Sequence, residues 1–354
     1  MSPSFNVLLG LLTVLPHYYL AQAAGFPAPL LEPLLEERQA STVPDYVTTY
    51  APVVWLYSGE TYFPGDLAAQ LTNTVPEINY KPITGYTTPL TLNNLAELNA
   101  FNGTQVYLTS TVDITTNPAW LNGVKPDSTG KTEGATSMFV IVNDHGNGEV
   151  DAFYMYFYPF NWGGIVLDQD VGDHVGDWEH NMIRFQNGKP SVVWFSQHSF
   201  GEAFTYDCLE KQGVRPVTYS GNGSHANYAI AGDHDHTIPN LNLPDDGLLT
   251  DFTDQGTLWD PLLSAYFYSY NPSANTYTPY DPSYPSNWLS FLGAWGDEQY
   301  PNSDPRQHEI IPGVSATAKY TSGPTGPEDK QLNRTKVCPT SNEFICEIHT
   351  KLGP

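Results

Sequence analysis

The sequence predicts a mainly β protein, a two-layer, jelly-roll-like β-sandwich with a few short helices and long loops. The 30 prolines and 29 glycines among 354 residues disfavour long helices, because proline lacks the amide donor and glycine loses much conformational freedom in a helix. Aromatic residues make up 13% of the chain and concentrate in runs of strand length. One such run, "MYFYPF", is apolar on both faces, which is typical of a central strand covered on both sides.

Five runs have the length and composition of strands. They read "APVVWLYS", "SMFVIVND", "EVDAFYMYFYPF", "WEHNMIRF" and "PSVVWFSQHS". The sequence predicts one helix in "DPLLSAYFYSY", where Asp260 is a suitable N-cap and Pro261 a suitable first residue. Its apolar stripe consists of Leu262, Leu263, Tyr266, Phe267 and Tyr270.

The ends of the chain differ in composition from its middle. The small-x-small motif at residues 21–23 follows a short apolar stretch, so we predict a signal peptide over 1–24, with a membrane anchor as the alternative. A Pro/Glu-rich leader follows at 25–44, a single domain at 45–320, and a Pro/Gly linker with a Cys-containing tail at 321–354. This organisation predicts passage through the secretory pathway, to a lumenal compartment or out of the cell.

The charge balance excludes some partners. Lys and Arg number 14 against 38 Asp and Glu, which gives a formal net charge of -24 and a pI near 4.5. Such a surface repels nucleic acids and anionic membranes, whereas it suits cations and sugars. The sequence leaves the oligomeric state open.

Secretion is consistent with three Asn-X-Ser/Thr motifs and with the cysteines. The motifs predict glycosylation at Asn102, Asn222 and Asn333. Cys338 and Cys346 are predicted to form a small disulfide, which leaves Cys208 as a free, buried thiol.

Polar side chains crowd the start of one predicted strand, in "GDHVGDWEHNMIRF". The Asn187-Gly188 pair predicts a hairpin with strands near 177–186 and 189–198, and a two-residue turn there places Asp177 opposite His198. Asp177, Glu179 and His198 then project from one face, with His174 in a flexible loop beside them.

Two carboxylates this close repel each other unless a proton or a cation lies between them. A divalent cation is therefore one prediction for this cluster, and a hydrogen-bonded sheet end is the other. Oxygen and nitrogen ligands without a thiolate favour Mg²⁺, Ca²⁺ or Mn²⁺, while two or more imidazoles would favour Zn²⁺ or Mn²⁺. A second polar run, Asp233–His236, reads as a solvated loop, and we assign no chemistry to the turn around His145.

The segments "GDHVGDWEHNMIRFQNGKPSVVWFSQHSFGEAF", "RPVTYSGNGSHANYAIAGDHDHTIP" and "LWDPLLSAYFYSY" occur in this order. Over about residues 50–302 the chain resembles the fungal vacuolar protein sorting-associated protein 62 family. This resemblance implies a role in delivering proteins to the vacuole, with the vacuolar lumen as one expected location, and implies no catalytic mechanism.

A more distant resemblance covers roughly residues 150–236. "YMYFYPFN", the His174, Asp177, Trp178, Glu179 element and "FSQHS" are similar to necrosis- and ethylene-inducing peptide-like proteins, secreted β-sandwich cytolysins that hold a divalent cation and bind sphingolipid sugars. The resemblance implies that His174, Asp177 and Glu179 are ligands, with His225 as a later ligand and Asn161 where that family has Asp. Gly176 replaces the family's second His, and the family's N-terminal Cys pair is absent.

Three functions remain open at the level of sequence. The first is a binding module for a glycan or glycolipid, in which Trp162, Trp178 and His180 contact the ligand. The second is a metal-dependent hydrolase, with His180 or His198 as the proton shuttle. The third is a sorting partner that binds through its surface. We expect binding rather than catalysis. Serine or cysteine hydrolysis is disfavoured, because no Gly-x-Ser-x-Gly elbow is present and Cys208 has no local nucleophile signature.

Overall fold

The computed structural model describes residues 42–238, 241–243, 249–314, 317–340 and 347–353. The predicted signal peptide, most of the predicted leader, and Cys346 lie outside the described residues. The segment Ala40–Pro354 forms one compact unit.

Short strands dominate this unit. In chain order they are β1 Val53–Leu56, β2 Thr74–Ile78, β3 Lys81–Pro82, β4 Tyr107–Ser110, β5 Met138–Gly146, β6 Glu149–Asn161, β7 Ile165–Val166, β8 Gln169–Asp170, β9 His174–Gln186, β10 Lys189–Gln197, β11 Phe200–Thr205, β12 Lys211–Gln212, β13 Arg215–Ser220, β14 Asn227–Tyr228, β15 Gly232–Ile238, β16 Leu241–Leu243, β17 Thr250–Thr253, β18 Thr257–Trp259, β19 Ala265–Asn271, β20 Thr276–Pro279 and β21 Ile348–His349. All five predicted strands are confirmed.

Helices are few and short. The α-helices are α1 Asp45–Thr49 and α2 Leu67–Asn73, and α2 is capped by Asp66, whose carboxylate accepts the amide of Ala69 at 2.8 Å. Short 3-10 helices cover Leu95–Phe101, Gly103–Gln105, Ile114–Thr116, Ala119–Asn122, Tyr206–Cys208, Pro261–Ser264, Asn287–Ser290 and Pro327–Lys330. No helix in the described part of the chain is both long and apolar enough to cross a membrane.

Two sheets pack face to face. An eight-stranded sheet has the order β20-β19-β5-β6-β9-β10-β11-β21, and a five-stranded sheet has the order β12-β13-β1-β18 with β14 beside β13. Tyr154, Tyr156 and Ile183 of the large sheet share one buried cluster with Val54 and Trp259 of the smaller sheet. The mainly β prediction and its two packed sheets are confirmed.

The opposite face of the large sheet is also covered, which explains why "MYFYPF" is apolar on both sides. Phe139 and Trp178 of this face pack edge to face with ring centroids 5.4 Å apart. Above them lie Trp288 from the 3-10 helix Asn287–Ser290, Trp295 from an irregular segment and Leu71 from α2. Burying aromatic rings on both faces makes β5, β6 and β9 the rigid centre of the fold.

The hairpin turn at Asn187 and Gly188 is confirmed, but the predicted register is wrong beyond its first residues. Both turn residues have positive φ, as a type I′ turn requires. A β-bulge at Ser191 then shifts the pairing by one residue, so Ile183 faces Val193 rather than Val192. His198 consequently lies in the β10–β11 turn at φ 56° and not opposite Asp177.

The predicted helix after Asp260 extends for one turn only. The Asp260 carboxylate caps it by accepting the amide of Leu262 at 3.2 Å, but the chain continues as β19 from Ala265. Parallel pairing with β5 and antiparallel pairing with β20 stabilise the aromatic run as a strand. Tertiary pairing here outweighs the local helical pattern.

The segment after residue 320 is part of the domain and not a separate linker and tail. Leu332, Val337 and Cys338 are buried in the core beneath the large sheet. Ile348–His349 adds a parallel strand to its edge. Cys338 is disulfide-bonded, and Cys208 is a free, half-buried thiol.

Candidate functional site

A cavity of about 450 Å³ opens at one end of the large sheet. Five of the six predicted metal ligands line it, namely Asn161, His174, Asp177, Glu179 and His198. Asn161 ends β6 and is paired with His174, which begins β9, so strand pairing alone holds these two side chains together. Only His225 of the predicted set lies behind the cavity wall.

Asp177 and Glu179 share one face of β9 because side chains alternate along a strand. Both are buried, with 6% and 4% of their surface exposed. Between them and His174 lies Gly176 at φ 68°, where an added Cβ would stand 2.4 Å from the carbonyl oxygen of Trp295. A side chain at 176 is therefore excluded by packing.

Three side chains at the cavity each use one of their polar atoms in a hydrogen bond that fixes their orientation. Nδ2 of Asn161 donates to the carbonyl of Gly172 at 3.1 Å, and Nδ1 of His174 lies 2.7 Å from the carbonyl of Gly176. Oδ2 of Asp177 is bonded to His225. Within the described residues, Oδ1 of Asn161, Nε2 of His174 and Oδ1 of Asp177 have no hydrogen-bond partner. These are the atoms that a cation could reach.

His225 has both ring nitrogens engaged, which does not fit direct metal ligation. Nδ1 lies 2.9 Å from Asp177 and Nε2 lies 2.9 Å from the carbonyl of Tyr62, while the ring stacks on Tyr158 at 3.7 Å. Burial opposes its charge, but the hydrogen bond to Asp177 and the nearby Glu60 carboxylate together raise the pKa of His225. His225 therefore orients Asp177 from behind, as outer-shell groups of metal sites do.

His198 is likewise tied to a carboxylate, and that carboxylate was missed by the sequence analysis. Its Nε2 lies 2.8 Å from Oδ2 of Asp251. The Asp251 carboxylate also accepts hydrogen bonds from Ser224 at Oδ1 and from Tyr228 at Oδ2. Burial opposes the charge of His198, but Asp251 and then Glu179 raise its pKa to about 9. No local motif marks Asp251, because its partners lie 23 to 53 residues away.

Glu179 is buried beside a second carboxylate, so its ionised form is disfavoured. Burial and the charge of Asp177 raise its pKa to about 8. Its Oε2 accepts a very short hydrogen bond from Ser196, and its Oε1 accepts the amide of His198 at 3.3 Å. Lys330 also lines the cavity and favours the ionised form. Without a cation, a proton on Glu179 relieves the repulsion between the two carboxylates.

Among the described residues, no three His, Cys, Asp or Glu side chains already stand in a metal-binding arrangement. The side chains with an unpartnered atom fit a hard cation by their chemistry, since they offer one amide oxygen, one carboxylate oxygen and a single imidazole, that of His174. The single imidazole favours Mg²⁺, Ca²⁺ or Mn²⁺ over Zn²⁺.

The three residues predicted to contact a ligand lie in different surroundings. Trp178 is 2% exposed and packs among Phe139, Trp288 and Trp295, so its ring is part of the core. His180 is buried on the opposite face from Glu179, against Arg334. Trp162 is half-buried and borders a smaller cavity of about 280 Å³, so it is the least buried of the three rings.

The sequons differ in exposure. Asn102 and Asn333 are exposed, whereas Asn222 is half-buried and lines the smaller cavity beside Trp162. His234, predicted to lie in a solvated loop, is buried in β15, where its ring stacks on Tyr228 at 3.8 Å. Burial lowers its pKa to about 4.

Comparison with known proteins gives a consistent family match. The family model of vacuolar protein sorting-associated protein 62 matches residues 36–322. The putative vacuolar protein sorting-associated protein TDA6 of Saccharomyces cerevisiae is 39% identical over 84% of this chain and 68% of its own. Vacuolar protein sorting-associated protein 62 of the same yeast is 36% identical over 88% of this chain and 71% of its own.

Similar solved structures are more remote. NLPPya in complex with glucosamine has a TM-score of 0.28 and 12% identity, covering 52% of this chain and 66% of its own. Necrosis and Ethylene inducing Protein 2 from the causal agent of cocoa's Witches Broom disease has a TM-score of 0.26 and 14% identity, covering 54% and 72%.

Proposed function

The chain belongs to the vacuolar protein sorting-associated protein 62 family, and from that premise we propose that it is a binding module of the secretory pathway that holds a glycan or glycolipid through a divalent cation. The observation that carries this proposal is the cavity of about 450 Å³ where Asn161, His174 and Asp177 each present one unpartnered polar atom. A cation there would compensate Asp177 and Glu179 and leave coordination positions for sugar hydroxyls.

A bound cation would supply positive charge and free coordination positions, and hydrogen bonds within the protein hold the ligating side chains in place. His225 fixes the Asp177 carboxylate, and the carbonyl of Gly176 fixes the ring of His174 with Nε2 directed away from the hydrogen bond. Trp162, at the neighbouring cavity, is the ring on which a pyranose face could stack. The formal net charge of -24 attracts cations and repels anionic polymers, and it does not repel neutral sugars.

Metal binding is tested on the mature protein by elemental analysis and by thermal unfolding in chelator and in Mn²⁺ or Ca²⁺. We expect the melting temperature to rise with cation concentration, because a ligand that binds only the folded state stabilises it. Asp177→Asn should abolish this rise, and Asp233→Asn, at an exposed carboxylate of β15, is the matched control that should keep it. A wild-type melting temperature that changes with neither chelator nor added cation would refute the site.

Glycan binding is tested separately, by a glycan array probed with and without the cation. Cation-dependent binding that is lost in Asp177→Asn supports the proposal. Cation binding without any glycan signal would support the metal site and contradict the proposal that the site binds a glycan.

A further inference from the structure

The smaller cavity, of about 280 Å³, is lined by part of a glycosylation motif. Asn222 and Gly223 border it together with the aromatic residues Trp162 and Tyr62. Asn222, Trp162 and Tyr62 are each half-buried, so each keeps part of its surface accessible. The cavity is slightly smaller than the ~300 Å³ at which sites for drug-sized ligands begin, and this size suits a single sugar ring.

Gly223 holds the motif against the indole of Trp162. It has φ 70°, and an added Cβ would stand 2.8 Å from Cε3 of Trp162. Its carbonyl accepts the backbone amide of Trp162 at 2.9 Å. The left-handed conformation and the close approach together favour glycine at this position. Asn222, which directly precedes Gly223, is thereby fixed beside the ring.

Hydrogen bonds to Glu60 join two walls of the cavity. Oε1 of Glu60 accepts the backbone amide of Tyr62 at 2.7 Å, and Oε2 accepts the backbone amide of Gly223 at 2.8 Å. On the Trp162 side, the indole Nε1 lies 3.4 Å from Oδ1 of Asp170. The cavity is therefore formed before any ligand enters it, and a preformed site loses little conformational freedom on binding.

The side chain of Asn222 is free to carry a substituent. It makes no hydrogen bond to any of the described residues, whereas its backbone amide donates to the carbonyl of Phe252 at 3.0 Å. Ser224, the third residue of the motif, is 2% exposed, and its hydroxyl donates to Asp251 at 2.5 Å. Transfer of a glycan to Asn222 must therefore precede folding of this segment, because the transferase needs access to the whole motif.

We propose that Asn222 carries an N-linked glycan whose first N-acetylglucosamine folds back into this cavity and packs against the indole of Trp162. In the transfer, Nδ2 of Asn222 attacks C1 of the first sugar of a lipid-linked oligosaccharide. The C1–N bond forms, the C1–O bond to the lipid pyrophosphate breaks, and the amide gives up one proton. The apolar face of the pyranose then covers the ring. This inference rests on the secretory location proposed above, because the transfer takes place in the lumen of that pathway.

The attached glycan and an external sugar would compete for the same ring. A sugar tethered at Asn222 has a high effective concentration at Trp162, so it outcompetes a free ligand. Trp162 is then open to an external sugar only in molecules whose Asn222 is unmodified. Glycosylation of Asn222 therefore regulates this part of the proposed ligand site.

The experiment is digestion of the native protein, secreted from a yeast host, with peptide N-glycosidase, followed by peptide mass spectrometry. Asn102 and Asn333 are exposed and serve as internal controls within the same molecule. We expect a glycan at Asn222 whose release is about fivefold slower than release from the two controls, because the packed sugar must first leave the ring. After denaturation, all three glycans should be released at the same rate.

Two variants separate packing of the sugar on the ring from the burial of Asn222 itself. Trp162→Ala should accelerate release at Asn222 to the rate of the controls, while Trp162→Phe, which keeps an aromatic face, should retain the protection. A thermal unfolding transition well above the digestion temperature shows that each variant is folded. Independently of these variants, Asn222→Gln should lower the melting temperature of the glycosylated protein and Asn102→Gln should not, since only the first removes a packed sugar.

The outcomes distinguish this inference from the proposed function. Glycans at Asn102 and Asn333 with none at Asn222, or equally fast release from all three in the native protein, would overturn the inference and leave the proposed function intact. Slow release at Asn222 that is unchanged in a folded Trp162→Ala variant would also overturn it, because burial of Asn222 would then explain the protection. A secreted chain without glycans at any of the three would overturn the inference and contradict the secretory location.

Discussion

Nε2 of His198 lies 2.8 Å from Oδ2 of Asp251, and this contact ties the β10–β11 turn to β17 at the rim of the larger cavity. Asp251 is 4% exposed and also accepts hydrogen bonds from Ser224 and Tyr228. One buried carboxylate thus fixes three segments that are far apart in sequence.

Asp251→Asn should destabilise the fold by ~2 kcal/mol, because it removes the charge that compensates His198 and replaces an acceptor oxygen by a donor. Urea unfolding of wild type and variant measures the difference. Asp233→Asn on neighbouring β15 should change stability by less than ~0.5 kcal/mol, since that carboxylate is exposed. Equal effects of the two changes would contradict the central position of Asp251.

The stability of the metal-free protein should fall as pH rises. The folded pKa of His198 is about 9, above its ordinary 6.5, so its contribution is complete below pH 6.5 and is lost as pH rises through 9. The folded pKa of Glu179 is about 8 against an ordinary 4.5, so ionisation between these values further disfavours the folded state. Urea unfolding in chelator from pH 6 to 9.5 should show the decline.

The variant His198→Gln should flatten the upper part of that pH profile. A wild-type stability that is constant or rises over the same range would show that neither group is perturbed as described. Burial also raises the pKa of Asp173 to about 7, so its ionisation adds to the decline at the lower end of this range, whereas carboxylates with lowered pKa values act at acid pH.

His225→Gln should weaken the proposed cation site without removing a ligand. Loss of an outer-shell partner of this type costs ~10–100-fold in metal affinity. Calorimetric titration with Mn²⁺ measures it, and the thermal unfolding of each metal-free variant separates lost affinity from lost folding. An unchanged affinity would mean that Asp177 needs no orientation by His225.

Two tryptophans, both predicted as ligand contacts, should respond differently to mutation. Trp178→Ala should cost ~3–5 kcal/mol of stability, because it empties a core position enclosed by aromatic rings. Trp162→Ala should cost less stability and should weaken glycan binding instead. Unfolding curves and glycan binding of the two variants together test this separation, which fails if Trp162→Ala destabilises as much as Trp178→Ala.

Truncation after residue 320 should prevent stable folding. The deleted segment contributes Leu332 and Val337 to the core, and Arg184 donates to the backbone carbonyls of Arg334 and Thr335. Removal exposes apolar surface beneath the large sheet and unpairs buried donors. A truncated chain with a cooperative transition at the wild-type melting temperature would contradict this reading.

The amino-acid sequence by itself determined the class of the fold and the positions of its central strands. Alternation and aromatic runs predicted β5, β6, β9 and β10, and Asn187-Gly188 predicted the turn between the last two, because these signals depend on neighbours a few residues apart. The same local signals placed Asp177 and Glu179 on one face. These two carboxylates and His174 line one cavity in the structure.

Only the tertiary structure decided the rest, because the deciding contacts join distant segments. The bulge at Ser191 carries no sequence signature, and it changes which side chains of β10 face those of β9. Pairing with β5 turned the predicted helix after Ser264 into a strand. His225 and His198 are held by carboxylates 48 and 53 residues away, and a single sequence does not reveal such pairs. The sequence shows Arg334 only as a charged residue near the C-terminus. Packing buries it, and no carboxylate among the described residues forms an ion pair with it.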